Sequence, residues 1–154
     1  MEILSHIATV LALVLSVAIW VHTLVLQRPR INVSIKHQWF DFVSSTEVEL
    51  HYYLFLVNPS SGDYDVTGIT FMQGNISVPF MYGENRIGKN HVTSRFPIHL
   101  SPQSGVAGYF AVRFDEHEQP NYSIPVTLSI HTTHGTVTKS ELHPEKMHHP
   151  DDCF

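Results

Sequence analysis

The chain has 154 residues, of which 15% are charged, and its formal net charge is −5 at pH 7. This balance argues against nucleic acid as a partner, because phosphate binding requires a basic stripe and no cluster of Lys and Arg follows Arg30. The single cysteine, Cys153, excludes an intrachain disulfide framework.

The first feature along the chain is an apolar segment, which runs from Ile3 to Leu26 without Asp, Glu, Lys or Arg. At roughly 1.5 Å per residue, a helix of this length reaches about 36 Å and crosses a hydrocarbon core of roughly 30 Å. Its apolar side chains surround the axis, unlike those of a core helix, and no basic n-region of a signal peptide precedes them. We therefore predict an uncleaved transmembrane anchor at residues 1–27 that contacts the lipid bilayer through residues 3–26.

The polar residues of this segment fit a membrane span. Serine and threonine hydroxyls are expected to bond back to carbonyls of their own helix at little cost. His6 and His22 lie near the two ends, and Trp20 is close to the second, which suits positions at the membrane surface. A functional histidine inside the membrane is the alternative.

The charges that flank the segment predict its orientation. Arg28, Arg30 and Lys36 follow it, whereas Glu2 is the only charged side chain before it, so we expect the N-terminus outside the cell membrane and the domain in the cytoplasm. Three glycosylation sequons, which begin at Asn32, Asn75 and Asn121, would matter only for the opposite topology, in which the domain is exported.

Alternation with period two dominates the rest of the chain and predicts strands. Inward-facing rows include Val48 to Leu56, Val106 to Phe114 and Ile124 to Ile130, and Gly68 indicates a bulge. Turn signals recur between these rows, and residues 83–90 are expected to form the long loop. The pattern predicts an all-β fold, an antiparallel immunoglobulin-like β-sandwich of about seven or eight strands after one transmembrane helix.

The domain organisation follows from these elements. The sandwich is expected at residues 28–142, directly after the anchor. The segment 143–154 combines metal-ligand residue types with Pro150 and is predicted to be a flexible tail. Its ligand-type residues are His143, His148, His149, Asp151, Asp152 and Cys153.

Several loosely spaced motifs carry a resemblance to a known class. They are Arg28-Pro29-Arg30-Ile31-Asn32-Val33, Leu56-Val57-Asn58-Pro59-Ser60, Phe96-Pro97-Ile98-His99-Leu100-Ser101-Pro102 and Ser129-Ile130-His131-Thr132-Thr133-His134-Gly135. Together they resemble the small single-pass membrane proteins of bacteria and phages, in which a charge-free helix precedes an immunoglobulin-like sandwich. The resemblance implies this fold and topology, and it implies no site residues.

No constellation of residues predicts catalysis, and we expect a protein that is not an enzyme, with no cofactor, metal or small-molecule substrate. The tail lacks a zinc-ligand spacing, so a solvated tail is preferred to a metal site. His131 and His134 share one hairpin tip, where exposed turn histidines are the commoner explanation. Asp115, Glu116 and Glu118 do not match the EF-hand pattern and are interpreted as a solvated turn instead of a calcium site.

Three functional hypotheses remain open. The first is a membrane-tethered module that binds a protein partner, with Tyr53, Phe55 and Tyr109 as outward-facing contacts, although the second sheet or the long loop would be expected to cover Phe55. The second is an accessory subunit that associates through a small-residue seam on its helix, formed by Ala8, Ala12 and Ser16. The third is an exported surface sandwich, which requires the opposite topology.

Overall fold

A computed structural model describes residues 2–26, 28–42, 47–81, 86–87, 91–115, 120–121 and 124–147. It begins with helix α1 (Glu2–Leu26). The strands are β1 (Asn32–Phe42), β2 (Glu47–Asn58), β3 (Tyr64–Gln73), β4 (Ile76–Pro79), β5 (Arg86–Ile87), β6 (His91–Val92), β7 (Ile98–Leu100), β8 (Ser104–Asp115), β9 (Val126–Thr132), β10 (Gly135–Leu142) and β11 (Pro144–Met147).

Helix α1 is the one helix in this part of the chain that is long and apolar enough to cross a membrane. Its window from His6 to Thr23 has a mean hydropathy of 1.8, and none of that window is buried inside the structure. Ser16 donates its hydroxyl to the carbonyl of Ala12, and Thr23 donates to the carbonyl of Ile19, each at 2.8 Å. The expected back-bonding of the hydroxyls is therefore confirmed.

Two sheets form the domain. The first sheet has the strand order β11-β1-β2-β8, in which β11 runs parallel to β1 and the other pairs are antiparallel. The second sheet has the order β10-β9-β3-β4, and β7 pairs with the beginning of β3; all of these pairs are antiparallel. The short strands β5 and β6 pair with each other.

The core lies between the facing sides of these two sheets. Even-numbered residues of β2 and β8 point into it, because side chains alternate along a strand. The fully buried residues from the first sheet include Leu50, Tyr52, Leu54, Phe110, Val112 and Phe114, and those from the second include Ile69, Phe71, Leu128 and Ile130. Odd-numbered residues of β2 and β8 consequently lie on the outer side of the first sheet.

A bulge in β1 changes which of its residues reach that outer side. Ile35 pairs with Leu54, but His37 pairs with Tyr53, so Lys36 is one extra residue in β1. After the bulge, Gln38 shares the core side with Tyr52, and Trp39 shares the outer side with His51. Without the bulge, His37 and Trp39 would face the core.

The predicted arrangement of strands agrees with the structure at the coarse level. The domain is built from β-strands in two largely antiparallel sheets after one helix, and the pairing of β3 with β9 shifts register between Val66 and Gly68, where a bulge was expected. The immunoglobulin-like type stays a prediction. The described residues contain eleven strands, more than expected, because several are only two to four residues long.

Two of the additional short elements lie in segments predicted to be irregular. The segment expected as the long loop includes β5, while its residues 83–85 and 88–90 lie outside the described part of the chain. Residues 144–147, expected in the tail, form β11 beside β1. That pairing is long-range and the segment does not alternate, so local pattern could not indicate it; residues 148–154 lie outside the described part.

Candidate functional site

The outer side of the first sheet brings aromatic side chains of three strands together. Tyr53 of β2 lies directly opposite Tyr109 of β8 on one side and opposite His37 of β1 on the other. Trp39 lies one pair further along β1, opposite His51. These positions share one face because cross-strand partners point to the same side of a sheet.

The rings pack into a cavity of about 140 Å³ that His37, Trp39, Tyr53 and Tyr109 line; we call it the aromatic pocket. The ring centroids of Tyr53 and Tyr109 are 4.7 Å apart, and the planes are tilted by 36°. Trp39 meets Tyr109 edge-on at 6.0 Å, and His37 lies 6.0 Å from Tyr53. The pocket therefore exposes several aromatic surfaces within one small volume.

Trp39 is held firmly at the base of this pocket. Only 2% of it is exposed, although it does not belong to the core cluster between the sheets. Its ring stacks on His51, with centroids 5.3 Å apart and an angle of 11° between the planes. This stacking fixes the plane of the Trp39 ring, so its position does not depend on a ligand.

A group of charged residues borders the pocket on the same face. Glu49 is buried and accepts hydrogen bonds from Arg113, at 2.9 Å from Nη2 and 3.3 Å from Nε. The other oxygen of Glu49 lies 3.6 Å from Nε2 of His51, which links the charged group to the ring that supports Trp39. Glu47 lies 4.0 Å from Arg113 at the outer margin.

Phe55, the third aromatic residue on the outward face of these strands, lies beside the pocket and not in it. It is 36% exposed, and its ring covers Gly105, where an added Cβ would lie 2.8 Å from the ring. Glycine at this position therefore allows the ring to lie flat on β8. Coverage of Phe55 by the second sheet or the long loop was expected. Its ring instead lies over Gly105 of β8, in its own sheet.

A second cavity, of about 340 Å³, lies where α1 meets the domain. Its lining includes Thr23, Arg28, the loop residues 60–63, Tyr64 and His134. The Tyr64 hydroxyl donates to the carbonyl of Arg30. Burial raises the pKa of Tyr64 above its usual value. The main elements of this cavity are loops and the end of α1.

The hairpin histidines are not brought together as a metal site. The two ring nitrogens of His131 lie 2.9 Å from the Thr70 hydroxyl and 3.2 Å from the Thr136 hydroxyl. His134 instead lies edge-on to Tyr64, with centroids 6.5 Å apart. Within the described ranges, no group of three or more His, Cys, Asp or Glu side chains is placed to hold a metal ion.

The other candidate residues are dispersed. His143 and Asp115 are exposed. The other ligand-type residues of the tail, which are His148, His149, Asp151, Asp152 and Cys153, lie outside the described part of the chain, as do Glu116 and Glu118 of the acidic turn. The sequon residues Asn32, Asn75 and Asn121 are exposed, as is the helix seam of Ala8, Ala12 and Ser16. These observations assign no function to any of them.

The sequence predicts the outward positions of Tyr53 and Tyr109 but not those of His37 and Trp39. Alternation from Ile31 to Ile35, continued without interruption, puts both on the core side. The sequence contains no signal of the change of face, because a polar Gln38 fits the outward row of that alternation although the structure buries it.

Comparisons with known proteins assign no function to the site. No family model matches the chain, and no curated protein matches it. Among solved structures, the copper-bound PCuAC domain of PmoF2 is 16% identical, with coverage of 75% of this chain and 93% of that domain and a TM-score of 0.43. The apo PCuAC domain of PmoF1 is 11% identical, with coverage of 73% and 93% and a TM-score of 0.44. A protein from Archaeoglobus fulgidus is 11% identical, with coverage of 76% and 96% and a TM-score of 0.39. Such low similarity carries no argument about function, and the resemblance to bacterial and phage membrane proteins stays a prediction.

Proposed function

We propose that this chain is a membrane-anchored, non-enzymatic module that binds a protein partner with its aromatic pocket. The observation that carries the proposal is the packing of Trp39, Tyr53 and Tyr109 around one cavity on the outer side of the first sheet. Tyrosine and tryptophan are enriched where proteins bind one another, because rigid rings provide large contact area at low entropic cost. His37 completes the lining of the pocket.

Membrane anchoring is the second part of the proposal and is supported by α1. Its apolar window is not buried in the domain, so lipid is the environment that suits it. We infer a cytoplasmic domain from Arg28 and Arg30. Strand β1 begins at Asn32, only a few residues after the helix, so a partner would be held near the inner membrane surface. Such tethering raises effective concentration without high intrinsic affinity.

The chemistry of the pocket supports binding more than catalysis. Its four lining residues offer imidazole, indole and phenol groups, and they include no carboxylate, serine or cysteine. Nucleophilic catalysis requires an activated nucleophile beside an oriented base, and this set of residues does not provide that pair.

Site-specific photo-crosslinking in the native membrane tests the proposal. A benzophenone amino acid replaces Tyr109 in one variant and Thr127, on the outer side of the second sheet, in a control variant. We expect Tyr109 variants to crosslink to one protein that Thr127 variants do not reach. Equal yields from both positions, or no adduct from Tyr109 in a folded and membrane-inserted chain, would contradict the proposal.

The accessory-subunit hypothesis has its own supporting observation, because Ala8, Ala12 and Ser16 lie exposed on α1. A crosslinker at Ala12 tests it in the same membranes. Adducts from Ala12 together with none from Tyr109 would replace the first proposal with this one.

Topology is tested with Cys153, the single cysteine. A membrane-impermeant thiol reagent is added to intact cells and, separately, after lysis. Reaction only after lysis is expected. Reaction in intact cells would instead support the exported surface sandwich.

A further inference from the structure

We infer that the aromatic pocket binds an arginine side chain of its partner. This inference rests on the proposed function and specifies the chemistry that the pocket recognises. It follows from two properties of the pocket, namely the arrangement of its rings and its size.

The rings provide the attraction. Indole and phenol faces carry negative electrostatic potential, and a cation within about 6 Å of such rings is stabilised. Tyr53 and Tyr109 are half-buried and line the cavity together with Trp39 at its base, so one bound cation is close to two accessible phenol rings. The Trp39 ring is already fixed by its stack on His51, which removes the cost of ordering it on binding.

The charged residues on the outer side of β2 and β8 lie away from the tyrosine rings. On the outer side of β2 and β8, three carboxylates, those of Glu47, Glu49 and Asp115, stand against one cation, Arg113. Arg113 is held by Glu49 at 2.9 Å at the far end of the face. Glu47 and Asp115 lie still further along the strands from Tyr53 and Tyr109, so we assign the recognition of a cation to the rings and not to the charge of this face.

The size and shape of the pocket favour guanidinium over ammonium. A cavity of about 140 Å³ suits the end of one long side chain and excludes a folded segment. Tyr53 and Tyr109 contact each other with centroids 4.7 Å apart, so a planar guanidinium stacks on a phenol face that lines the cavity and not between the two rings. An ammonium is more strongly hydrated and cannot stack.

The inference is tested with three short peptides in which only one side chain differs. They are acetyl-Gly-X-Gly-amide with X as arginine, lysine or citrulline, the last being a neutral shape analogue of arginine. The full chain is used in nonionic detergent at pH 8. Peptide-observed saturation-transfer NMR provides the dissociation constants.

A second readout locates the bound peptide. The chain has two tryptophans, so in a Trp20→Phe background the emission comes from Trp39 alone. The arginine peptide is expected to change this emission and to bind roughly 2- to 30-fold more tightly than the citrulline peptide, the ratio to which usual cation–π energies correspond. Equal affinity for citrulline or lysine, or arginine binding that leaves Trp39 emission unchanged, would overturn the inference.

Matched variants separate ring electrostatics from loss of structure. Tyr109→Phe keeps the ring and is expected to preserve the arginine preference, whereas Tyr109→Leu is expected to abolish it. Phe55→Leu removes a ring on the same face outside the pocket and is expected to change nothing. Loss of the preference in Phe55→Leu, or its survival in Tyr109→Leu, would contradict the assignment.

Different outcomes of these experiments would contradict the arginine inference and the proposed function. If Tyr109 crosslinks a partner while the arginine peptide shows no advantage, the inference is wrong and the proposed function stands. If the arginine preference is measured but no partner is crosslinked at Tyr109, the pocket chemistry stands and the proposed function is wrong.

Discussion

Asn58 is a fully buried polar residue at the end of β2, and its replacement by aspartate provides a sharp test of the structure. Its side-chain nitrogen donates to the carbonyls of Gly62, Leu100 and Ser101 at 2.7, 3.2 and 3.1 Å. Its side-chain oxygen accepts from the backbone N–H of Ser60 at 2.9 Å and from the Ser60 hydroxyl at 2.6 Å. Asn58 thus joins the loop after β2 to the end of β7.

Asn58→Asp keeps the shape of the side chain and removes both of its N–H hydrogens. The three carbonyls lose their donor, and a carboxylate oxygen now faces them. The two N–H hydrogens supply two full hydrogen bonds, so at about 1.5 kcal/mol for each the free energy of unfolding is expected to fall by about 3 kcal/mol at pH 7. The two hydrogen bonds that Ser60 donates to the side-chain oxygen can persist, so only the bonds donated by the Asn58 side-chain nitrogen are lost.

The pH dependence of this loss has a defined sign. Carbonyl oxygens and burial disfavour the carboxylate, so the pKa of the introduced carboxyl is raised in the folded state above its unfolded value of about 3.9. The folded variant therefore binds its proton more tightly, and stability is lost as pH rises above that unfolded value. The destabilisation is expected to be smaller at pH 4 than at pH 7.

Urea unfolding in nonionic detergent, followed through Trp39 in a Trp20→Phe background, measures the difference from the parent chain at each pH. Asn75→Asp, at an exposed turn position, is the control and is expected to change the free energy of unfolding by less than about 0.5 kcal/mol. A loss below about 1 kcal/mol for Asn58→Asp at pH 7, or an equal loss at both pH values, would refute the reasoning.

Three further predictions concern stability and register. Gly108→Ala places a Cβ 2.1 Å from Oγ and 3.1 Å from Cβ of Ser94, so the free energy of unfolding in urea should fall by about 1–3 kcal/mol. Ser94→Gly should largely reverse this loss, and an unchanged urea midpoint in Gly108→Ala would contradict the packing. Burial raises the pKa of Tyr64 in the folded state, so the free energy of unfolding of the parent chain should fall relative to that of Tyr64→Phe as pH rises above 10. A difference between the two chains that stays constant with pH would contradict the raised pKa. Deletion of Lys36 retains the pairing of β1 with β2 but shifts β1 by one residue against β11. Hydrogen exchange should therefore accelerate in β11 while Trp39 emission stays constant. Unchanged exchange in β11 together with altered Trp39 emission would contradict the assigned bulge.

Local pattern was enough to predict the outward position of two pocket residues. Tyr53 and Tyr109 occupy the odd positions of two strongly alternating segments, and alternation alone puts them opposite the inward rows. It could not predict that they are directly opposite each other, since that depends on the register of β2 against β8. The 4.7 Å contact that forms the pocket wall is therefore a result of long-range hydrogen bonding.

The other half of the pocket depends on one extra residue. Both His37 and Trp39 follow the bulge at Lys36, and a period-two pattern carried through that position assigns them to the wrong face. Strand β2 provides one residue where β1 provides two, and a mismatch of this kind exists only between paired strands. The sequence of β1 alone cannot indicate it.

The sequence by itself determined the apolar helix, the β character of the domain and the inward rows, because all three follow from the spacing of side chains along one segment. The tertiary structure decided the register, the bulge, the addition of β11 and hence the aromatic pocket. Hydrogen bonds between residues far apart in the chain select these features, and neighbouring residues do not encode them.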